Sequence, residues 1–279
     1  MLPGKNLLLK CLRPFHPPRK IKRSLHYTGR IAVTVSIDCA FHVYSDANDM
    51  FWDGLSGCGE PHSMKLWSKL CKSATLAVDV GAHAGLYSIA AAAANTRIVV
   101  HAFEPLQSNV DALFRNIQGN GYNNVNVHQM ALSDYDGVAS LNYDREGDAI
   151  AMLGNPKLKL TSMVQVAKLD SILNIGDEEV VTVKIDVETH EPQVLLGMNT
   201  IIRRFRPTMI IEVLNNEVGE TVQTALSEAY CWLLIDESGV LRRTTAINRV
   251  SEGSTNYFLY PKERAAEWER YIEEFNIVN

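Results

Sequence analysis

Short apolar runs alternate with amphipathic stretches along most of the chain after residue 63. Five runs have the length and β-branched content of strands buried on both faces: TLAVDV, TRIVVHAFEP, NVNVHQMAL, VVTVKIDV and PTMIIEVL. Four stretches between and after them have helical spacing: GLYSIAAAAAN, SNVDALFRNIQGNG, PQVLLGMNTIIRRF and ETVQTALSEAY. This alternation predicts an α/β fold, a mainly parallel sheet with helices on both faces.

Four further parts of the chain depart from the alternating pattern. GVASLNYD and TSMVQVAKLDSIL predict two extra strands and a short helix ahead of VVTVKIDV. CWLLID and NYFLYP predict the last two strands, and no long apolar helix separates them, so one is expected to run antiparallel at the sheet edge. RIAVTVSI and AFHVYS predict a hairpin near the start, and AAEWERYIEEFNIV predicts an amphipathic helix at the end. The chain is therefore divided into residues 1–60, 61–262 and 263–279.

Charge is unevenly distributed. The net charge is −5, which argues against a general nucleic-acid binder, yet residues 1–30 carry eight lysines and arginines and no acid. This arm is either a solvated extension or a weak peripheral contact with a membrane surface. The apolar run NLLLKCL is too short for an export signal or a membrane span, and the five scattered cysteines favour reduced thiols in the cytoplasm.

The stretch LAVDVGAHAGLYS is a strand followed by a turn into a helix, the place where a doubly wound sheet contacts its cofactor. Gly81 permits a sharp turn and Gly85 permits close packing of helix on strand. A dinucleotide fingerprint would have glycine at the positions of His83 and Leu86, so a pyrophosphate cradle is incomplete. The helix N-terminus still offers amides to a carboxylate.

Two acids flank this turn. Asp79 ends the first strand, where it would repel a pyrophosphate but suit an ammonium group. Glu104 ends the next strand, in HAFEP, at the distance where an acid binds ribose hydroxyls. Together they favour S-adenosylmethionine over NAD, with Ala82, His83 and Pro105 as further cofactor contacts.

The third strand runs into QMALSDYDG, which is expected to border the adenine. Ala131 is predicted to supply apolar and backbone contacts. Asp134 either accepts a hydrogen bond from the adenine amine or simply starts the Asp/Gly-rich turn.

Alternation in VVTVKIDVE places Lys184 and Asp186 on one face, with Asp186 at the carboxyl end of the strand. A ligand hydroxyl that reacts as a nucleophile needs a base, and Asp186 is the first candidate, ahead of Glu188 and His190. An internal Lys184–Asp186 ion pair is the structural alternative. HEPQV lacks the zinc pattern, so no metal is predicted, although Asp186, Glu212 and Asn215 would suit magnesium.

Six motifs in order resemble the FkbM-type class I S-adenosylmethionine-dependent methyltransferases: VDVGAHAGLYS, VHAFEP, ALSDYDG, VAKLDSIL, VKIDVETHEPQVLLG and RPTMIIEVL. The resemblance covers about residues 60–262. It implies a seven-stranded Rossmann-like sheet with an antiparallel last strand. It also implies methyl transfer to a hydroxyl of a sugar, glycolipid, polysaccharide or secondary metabolite.

Two residues differ from the family pattern. His83 stands where the family usually has Asn, and Thr189 stands where it usually has Gly. Two other functions therefore stay open at this point: an NAD(P)-dependent oxidoreductase, and a scaffold that binds S-adenosylmethionine without catalysis. The acceptor is expected to be a small molecule or glycan and not a nucleic acid.

Overall fold

The computed structural model describes residues 5–15, 17, 18, 22, 27, 29–44, 47–144, 151–250 and 255–278. Its α-helices are α1 Lys5–Leu12, α2 Ala47–Asp53, α3 Pro61–Ser73, α4 Leu86–Ala94, α5 Gln107–Asn120, α6 Leu169–Ile172, α7 Glu191–Gly197, α8 Asn199–Phe205, α9 Asn216–Leu226 and α10 Ala265–Tyr271. Short 3-10 helices span Arg13–Phe15, Gly54–Cys58, Lys262–Arg264 and Glu273–Phe275.

The strands are β1 Ile31–Ser36, β2 Cys39–Val43, β3 Leu76–Val80, β4 Val99–Phe103, β5 Val125–His128, β6 Ala131–Leu132, β7 Gly137–Tyr143, β8 Ala151–Leu153, β9 Leu160–Ala167, β10 Val181–Ile185, β11 Thr208–Glu212, β12 Tyr230–Asp236, β13 Val240–Arg242, β14 Asn256–Pro261 and β15 Ile277–Val278. The hairpin predicted near the start is present, because β1 and β2 pair antiparallel.

The main sheet has nine strands in the order β15-β13-β12-β14-β11-β10-β3-β4-β5. Neighbours from β11 to β5 run parallel, so the carboxyl ends of these five strands meet at one edge. The predicted α/β class is confirmed, but the sheet has nine strands where seven were expected, since β13 and β15 extend it.

Strand β14 corrects the prediction of an antiparallel strand at the sheet edge. It is antiparallel, but it lies inside the sheet, between β11 and β12. All six of its residues are buried, and a strand buried on both faces needs neighbours on both sides. The apolar run NYFLYP is therefore explained by its interior position.

Side chains alternate between two cores, one on each face of the sheet. On β3, Ala77 belongs to the first core and Val78 to the second. The first core also contains residues of α3, α4, α10 and the β1–β2 hairpin, and the second contains residues of α7, α8 and α9. Helices therefore cover both faces, as predicted.

Two predicted helices are shorter than their patterns. PQVLLGMNTIIRRF forms α7 and α8, which are separated at Met198, and not one helix. Gly197 is the last residue of α7, and a Cβ on it would lie 1.9 Å from the Ser133 carbonyl oxygen. The boundary between α7 and α8 therefore lies where the backbone packs closely against Ser133. The C-terminal helix ends at Tyr271, and Ile277–Val278 joins the sheet beside β13.

The two extra strands predicted ahead of VVTVKIDV are β7 and β9, and in the described part of the chain they join β6 and β8 in a second sheet, in the order β6-β9-β7-β8. Its own small core includes Leu141, Val164 and Val166. Among the described residues no helix combines the length and the hydropathy needed to cross a membrane.

Candidate functional site

A cavity of about 350 Å³ opens at the edge where the parallel strands end. Ten of the twelve residues predicted as site residues line it: Asp79, Gly81, Ala82, His83, Glu104, Pro105, Ala131, Asp186, Glu188 and His190. Its size is within the ordinary range of small-molecule sites. Gly85 and Asp134 do not line it.

Gly81 makes the turn after β3 possible. Its φ is +81°, and a Cβ on it would lie 1.8 Å from the backbone oxygen of Asp186. The amides of Gly81 and Ala82 both donate to the Phe103 carbonyl oxygen at 3.0 Å. The turn is therefore fixed against the ends of both β4 and β10.

Gly85 has the packing role that the sequence also indicated, and its predicted contact with the cofactor stays a prediction. Its φ is +83°, and a Cβ would lie 2.0 Å from Leu113 Cδ1 on α5. His83, also in this turn, has a φ of +49°, a region that histidine tolerates better than most residues.

Asp79 is almost completely buried, with 2% of its surface exposed. Ser88 Oγ donates to its Oδ2 at 2.6 Å. Burial raises the pKa of Asp79 to about 6, against the lowering effects of Ser88 and Lys184. A carboxylate in this condition is stabilised by a cationic ligand group, so its chemistry fits the ammonium of S-adenosylmethionine.

Glu104 is also buried and holds the turn from the side of β4. Its Oε2 accepts from the amide of His83 at 2.9 Å, and its Oε1 accepts from the amide of Leu106 at 2.8 Å. Burial raises the pKa of Glu104 despite these bonds. Its Oε1 also accepts from Asn109 Nδ2 at 3.4 Å, so Oε2 is the oxygen with a lone pair left for a ribose hydroxyl.

Fewer amides of the turn are available to bind a ligand than the sequence suggested. Those of Gly81, Ala82, His83 and Gly85 already donate to acceptors within the protein. A ligand carboxylate would therefore have to be bound by amides further into the first turn of α4.

Two predicted cofactor contacts, Ala131 and Asp134, follow β5, and they differ in exposure. Ala131 is buried and lines the cavity, whereas Asp134 is exposed and accepts a hydrogen bond from Ser133 Oγ at 3.1 Å. The same Ser133 Oγ lies 2.9 Å from His190 Nε2. Burial lowers the pKa of His190, and Asp134 partly opposes this shift. Asp134 thus lies in the turn and near His190.

Lys184 is fully buried and its ammonium has three partners. Nζ donates to Asp186 Oδ2 at 3.2 Å and to Asn256 Oδ1 at 3.1 Å, and it lies 5.1 Å from the centre of the Tyr87 ring. Burial alone would raise the pKa of Asp186, but the ammonium outweighs it, and the pKa lies below its usual value. The predicted Lys184–Asp186 pair is present, and Asp186 still faces the cavity.

Two further acids meet Asp186. Carboxylate oxygens of Glu60, Asp186 and Glu212 lie within 4.8 Å of one another. Burial, and then the charge of Asp186, raise the pKa of Glu212 to about 9, so its carboxyl is protonated at neutral pH. Asp186 is therefore the ionised member beside a neutral carboxyl group.

Asn215 was the third residue of the alternative magnesium site, but it is not part of this cluster. Its Oδ1 accepts from the amide of Val218 at 2.9 Å and so caps α9. The third member of the cluster is Glu60 and not Asn215. The Lys184 ammonium already supplies positive charge beside Asp186. Apart from the acidic cluster, the described residues give no reason to expect a metal ion. The absence of a metal stays a prediction.

Glu60 is the main residue that the sequence reasoning missed. Its Oε2 accepts from Tyr87 OH at 2.8 Å, and its Oε1 accepts from Asn256 Nδ2 at 2.8 Å. It precedes Pro61 in a segment without regular pattern, and Asn256 is 196 positions away in the chain. No sequence spacing indicates this contact.

The loop after β10 contains two residues with positive φ that are not glycine: Glu188 at +54° and Thr189 at +77°. The departure from Gly at position 189 therefore places a β-branched residue in a left-handed conformation. Glu191, the first residue of α7, is fully buried, and its Oε1 accepts from the amide of Val187 at 3.1 Å. Burial raises the pKa of Glu191 to about 7.

No curated protein matches the sequence. Among solved structures, a methyltransferase FkbM from Methylobacillus flagellatus KT is 17% identical, with a TM-score of 0.45, over 78% of this chain and 56% of that one. This chain thus spans little more than half of that protein.

Two other solved structures are similar at comparable levels. M. jannaschii TYW2, in complex with AdoMet, is 12% identical with a TM-score of 0.42, over 84% of this chain and 86% of that one. The ribosomal protein L11 methylase of Lactobacillus delbrueckii subsp. bulgaricus is 13% identical with a TM-score of 0.44, over 85% and 100%.

The family itself is identified from sequence. The model described as "Methyltransferase FkbM domain" matches residues 79–238, more than half of the 279 residues. The match confirms the resemblance and, with it, S-adenosylmethionine as the predicted cofactor, and it begins at Asp79 itself. The chain belongs to the family of methyltransferases with an FkbM domain.

Proposed function

We propose that this protein transfers a methyl group from S-adenosylmethionine to a hydroxyl group of a sugar, glycolipid, polysaccharide or secondary metabolite. The observation that carries the proposal is Asp186. It is an ionised carboxylate at the carboxyl end of β10, lining the same cavity as Asp79 and Glu104.

The residues divide into a cofactor side and an acceptor side. Asp79 binds the ammonium group, Glu104 accepts from the ribose hydroxyls, and Ala131 lies against the adenine. The turn from Gly81 to His83, with Pro105, completes this side. Bound S-adenosylmethionine supplies an electrophilic methyl group on a sulfonium, and S-adenosylhomocysteine is the leaving group once the sulfur–methyl bond breaks.

Asp186 acts on the acceptor. Its carboxylate accepts the hydrogen bond of the acceptor hydroxyl, orients the oxygen, and takes the proton as the oxygen–methyl bond forms. Lys184 keeps this carboxylate ionised, and neutral Glu212 adds no second negative charge beside it. Glu188 and His190 line the same cavity and are the alternative bases.

An acceptor screen with isotopically labelled S-adenosylmethionine tests the proposal. Monosaccharides, oligosaccharides, glycolipids and polyketide alcohols form the panel, and transfer RNA is the rival acceptor. Mass spectrometry should find an O-methyl ether on a member of the panel. Methylation of RNA alone would contradict the acceptor class.

Asp186→Asn then tests the base. Turnover should fall by about 10²–10⁴-fold while affinity for S-adenosylmethionine changes little, because the substitution removes the proton acceptor and keeps the shape. Glu188→Gln and His190→Gln are the matched variants. If either of them abolishes turnover while Asp186→Asn does not, the base is assigned to the wrong residue.

A further inference from the structure

Asn256, the first residue of β14, lies beside the ion pair of Lys184 and Asp186. In the register of the sheet Asn256 is opposite Glu212 of β11, and Lys184 is opposite Ile210 of that strand. Residues two apart on a strand share a face, so Lys184, Glu212 and Asn256 lie on one face of the sheet. Asn256 is 1% exposed, and an amide buried this deeply needs a partner at each end.

The carboxamide of Asn256 bridges an ammonium group and a carboxylate. Its Oδ1 accepts from Lys184 Nζ at 3.1 Å, and its Nδ2 donates to Glu60 Oε1 at 2.8 Å. The reverse orientation would place the amino group against the ammonium and the oxygen against the carboxylate, so the two charges fix the orientation of the amide. Asn256 therefore lies between Lys184 and Glu60.

Glu60 is the acid that competes with Asp186 for the Lys184 ammonium. Within the described ranges Lys184 pairs with Asp186 and not with Glu60. Carboxylate oxygens of the two acids nevertheless lie within 4.8 Å of each other. Burial would lower the pKa of Lys184, but the charges of Asp186, then Glu60 and then Glu212, raise it. An ammonium that moved toward Glu60 would leave Asp186 with less charge compensation.

Other groups around Asp186 do not replace this ammonium. Lys184 is the one lysine or arginine among the described residues that line the cavity. Glu212 is a neutral carboxyl group at neutral pH. Three further titratable groups act on Asp186 or are affected by its charge: Asp79 on β3, His83 in the turn after it and Glu191 on α7. The position of the Lys184 ammonium therefore decides which carboxylate is compensated.

We propose that Asn256 is a positioning residue, which keeps the Lys184 ammonium on Asp186 by binding Glu60 in its place. The carboxylate of Glu60 is then satisfied by the amide of Asn256 and by the hydroxyl group of Tyr87. The inference rests on the proposed function for the purpose of the ion pair, since Asp186 has to be ionised in order to take a proton from an acceptor. The contact itself can be tested without an acceptor.

Carbon-13 NMR of the full chain, labelled at the aspartate side-chain carboxyl, follows the titration of Asp186, whose signal is assigned by its loss in Asp186→Asn. Asn256→Ala should raise the pKa of Asp186 by about one unit, a tenfold change in proton affinity, because Glu60 then attracts the ammonium. Asn142→Ala is the matched control, since Asn142 is 6% exposed and donates to Thr161 Oγ1 at 2.8 Å in the second sheet. An unchanged titration of Asp186 in Asn256→Ala would overturn the proposal.

A double variant separates positioning from packing. In Glu60→Gln/Asn256→Ala the competing charge is gone, so the pKa of Asp186 should return to the wild-type value or below it. A packing defect at position 256 would not be repaired in this way, and a pKa that stays raised in the double variant would contradict the role of Glu60. Circular dichroism verifies that each variant is folded. Asn256→Ser, which is too short to bridge both groups, replaces the alanine variant if that one does not fold, with the same expected direction.

Turnover measurements distinguish this inference from the proposed function. With an acceptor from the panel, the acid limb of the pH profile of kcat/KM should move to higher pH in Asn256→Ala, and the rate on the plateau should change less. A raised pKa of Asp186 without methylation of any alcohol would support the role of Asn256 and contradict the proposed function. An unchanged pKa with normal turnover would support the proposed function and overturn the role of Asn256.

Discussion

The turn after β3 (residues 81–85) and the loop after β10 (residues 186–190) line the same cavity but are built differently. In the turn, the φ angles of +81° and +83° fall on Gly81 and Gly85. In the loop, angles of +54° and +77° fall on Glu188 and Thr189. His83 in the turn also has a positive φ, +49°, but the two largest angles there fall on glycine, whereas both angles in the loop fall on residues that prefer another conformation.

The acid near the turn, Asp79, and the acid of the loop, Asp186, also differ in their charge environment. Among the described residues no cation is bonded to Asp79, and burial raises its pKa to about 6. Asp186 has Lys184 at 3.2 Å, which holds its pKa below the usual value. In the proposed function, a cationic group of the ligand would compensate the first carboxylate, whereas the second is already charge-compensated and would accept from a neutral hydroxyl. The proposal therefore assigns cofactor binding to the turn and acceptor chemistry to the loop.

The largest expected effect is that of Gly81→Ala. The new Cβ would lie 1.8 Å from the Asp186 backbone oxygen, so turn and loop could not stay in place together. The free energy of unfolding should fall by about 3 kcal/mol or more in urea denaturation. Gly121→Ala is the control, because its φ is +73° and no atom lies within 4 Å of its Cβ. Equal losses in both variants would show that clash with the loop is not the cause.

A smaller effect is expected for Glu212→Gln. In the folded chain the pKa of Glu212 is about 9, and in the unfolded chain it is near 4.5. The folded state therefore binds an extra proton between these values, and wild-type stability falls as pH rises through this window. Glutamine does not titrate, so the variant should be more stable than wild type at pH 8 by roughly 1–2 kcal/mol, and equal to it near pH 4.

Urea denaturation of both proteins at several pH values measures this difference. Glu217→Gln, an exposed residue on α9, is the reference. If Glu212→Gln and wild type change in parallel with pH, then Glu212 is ionised in the folded protein.

The smallest effect is expected for Thr189→Gly. A β-branched residue at φ +77° is strained, and glycine is not. Stability should rise by about 0.5–1 kcal/mol in the same assay. Thr224→Gly in α9 should instead lower it, because glycine disfavours a helix interior. A loss of stability in both variants would mean that the loop is not strained at Thr189.

The cofactor side was predictable because its residues are local. Asp79 lies near the end of β3, Gly81 and His83 follow that strand, Glu104 follows β4, and parallel strands bring both ends to one edge of the sheet. The two interpretations of Asp134 stay open, since an Asp/Gly-rich turn has the same sequence whether or not it contacts a ligand.

The acceptor side depends on long-range contacts. Glu60 and Asn256 meet Lys184 only when the segment before α3 and strand β14 fold over the end of β10. No periodicity encodes this approach. The interior place of β14 was missed for a similar reason, because an apolar run shows that a strand is buried but not which strands flank it.

Titration with S-adenosylmethionine at several pH values tests most directly the claim that the Asp79 side of the cavity binds the cofactor. In wild type, affinity should fall by about tenfold per pH unit below pH 6, because only ionised Asp79 binds the ammonium group. In Asp79→Asn, affinity should be lower at pH 7 and nearly independent of pH. Equal affinities in the two proteins across this range, or binding of NADH in place of S-adenosylmethionine, would contradict the account.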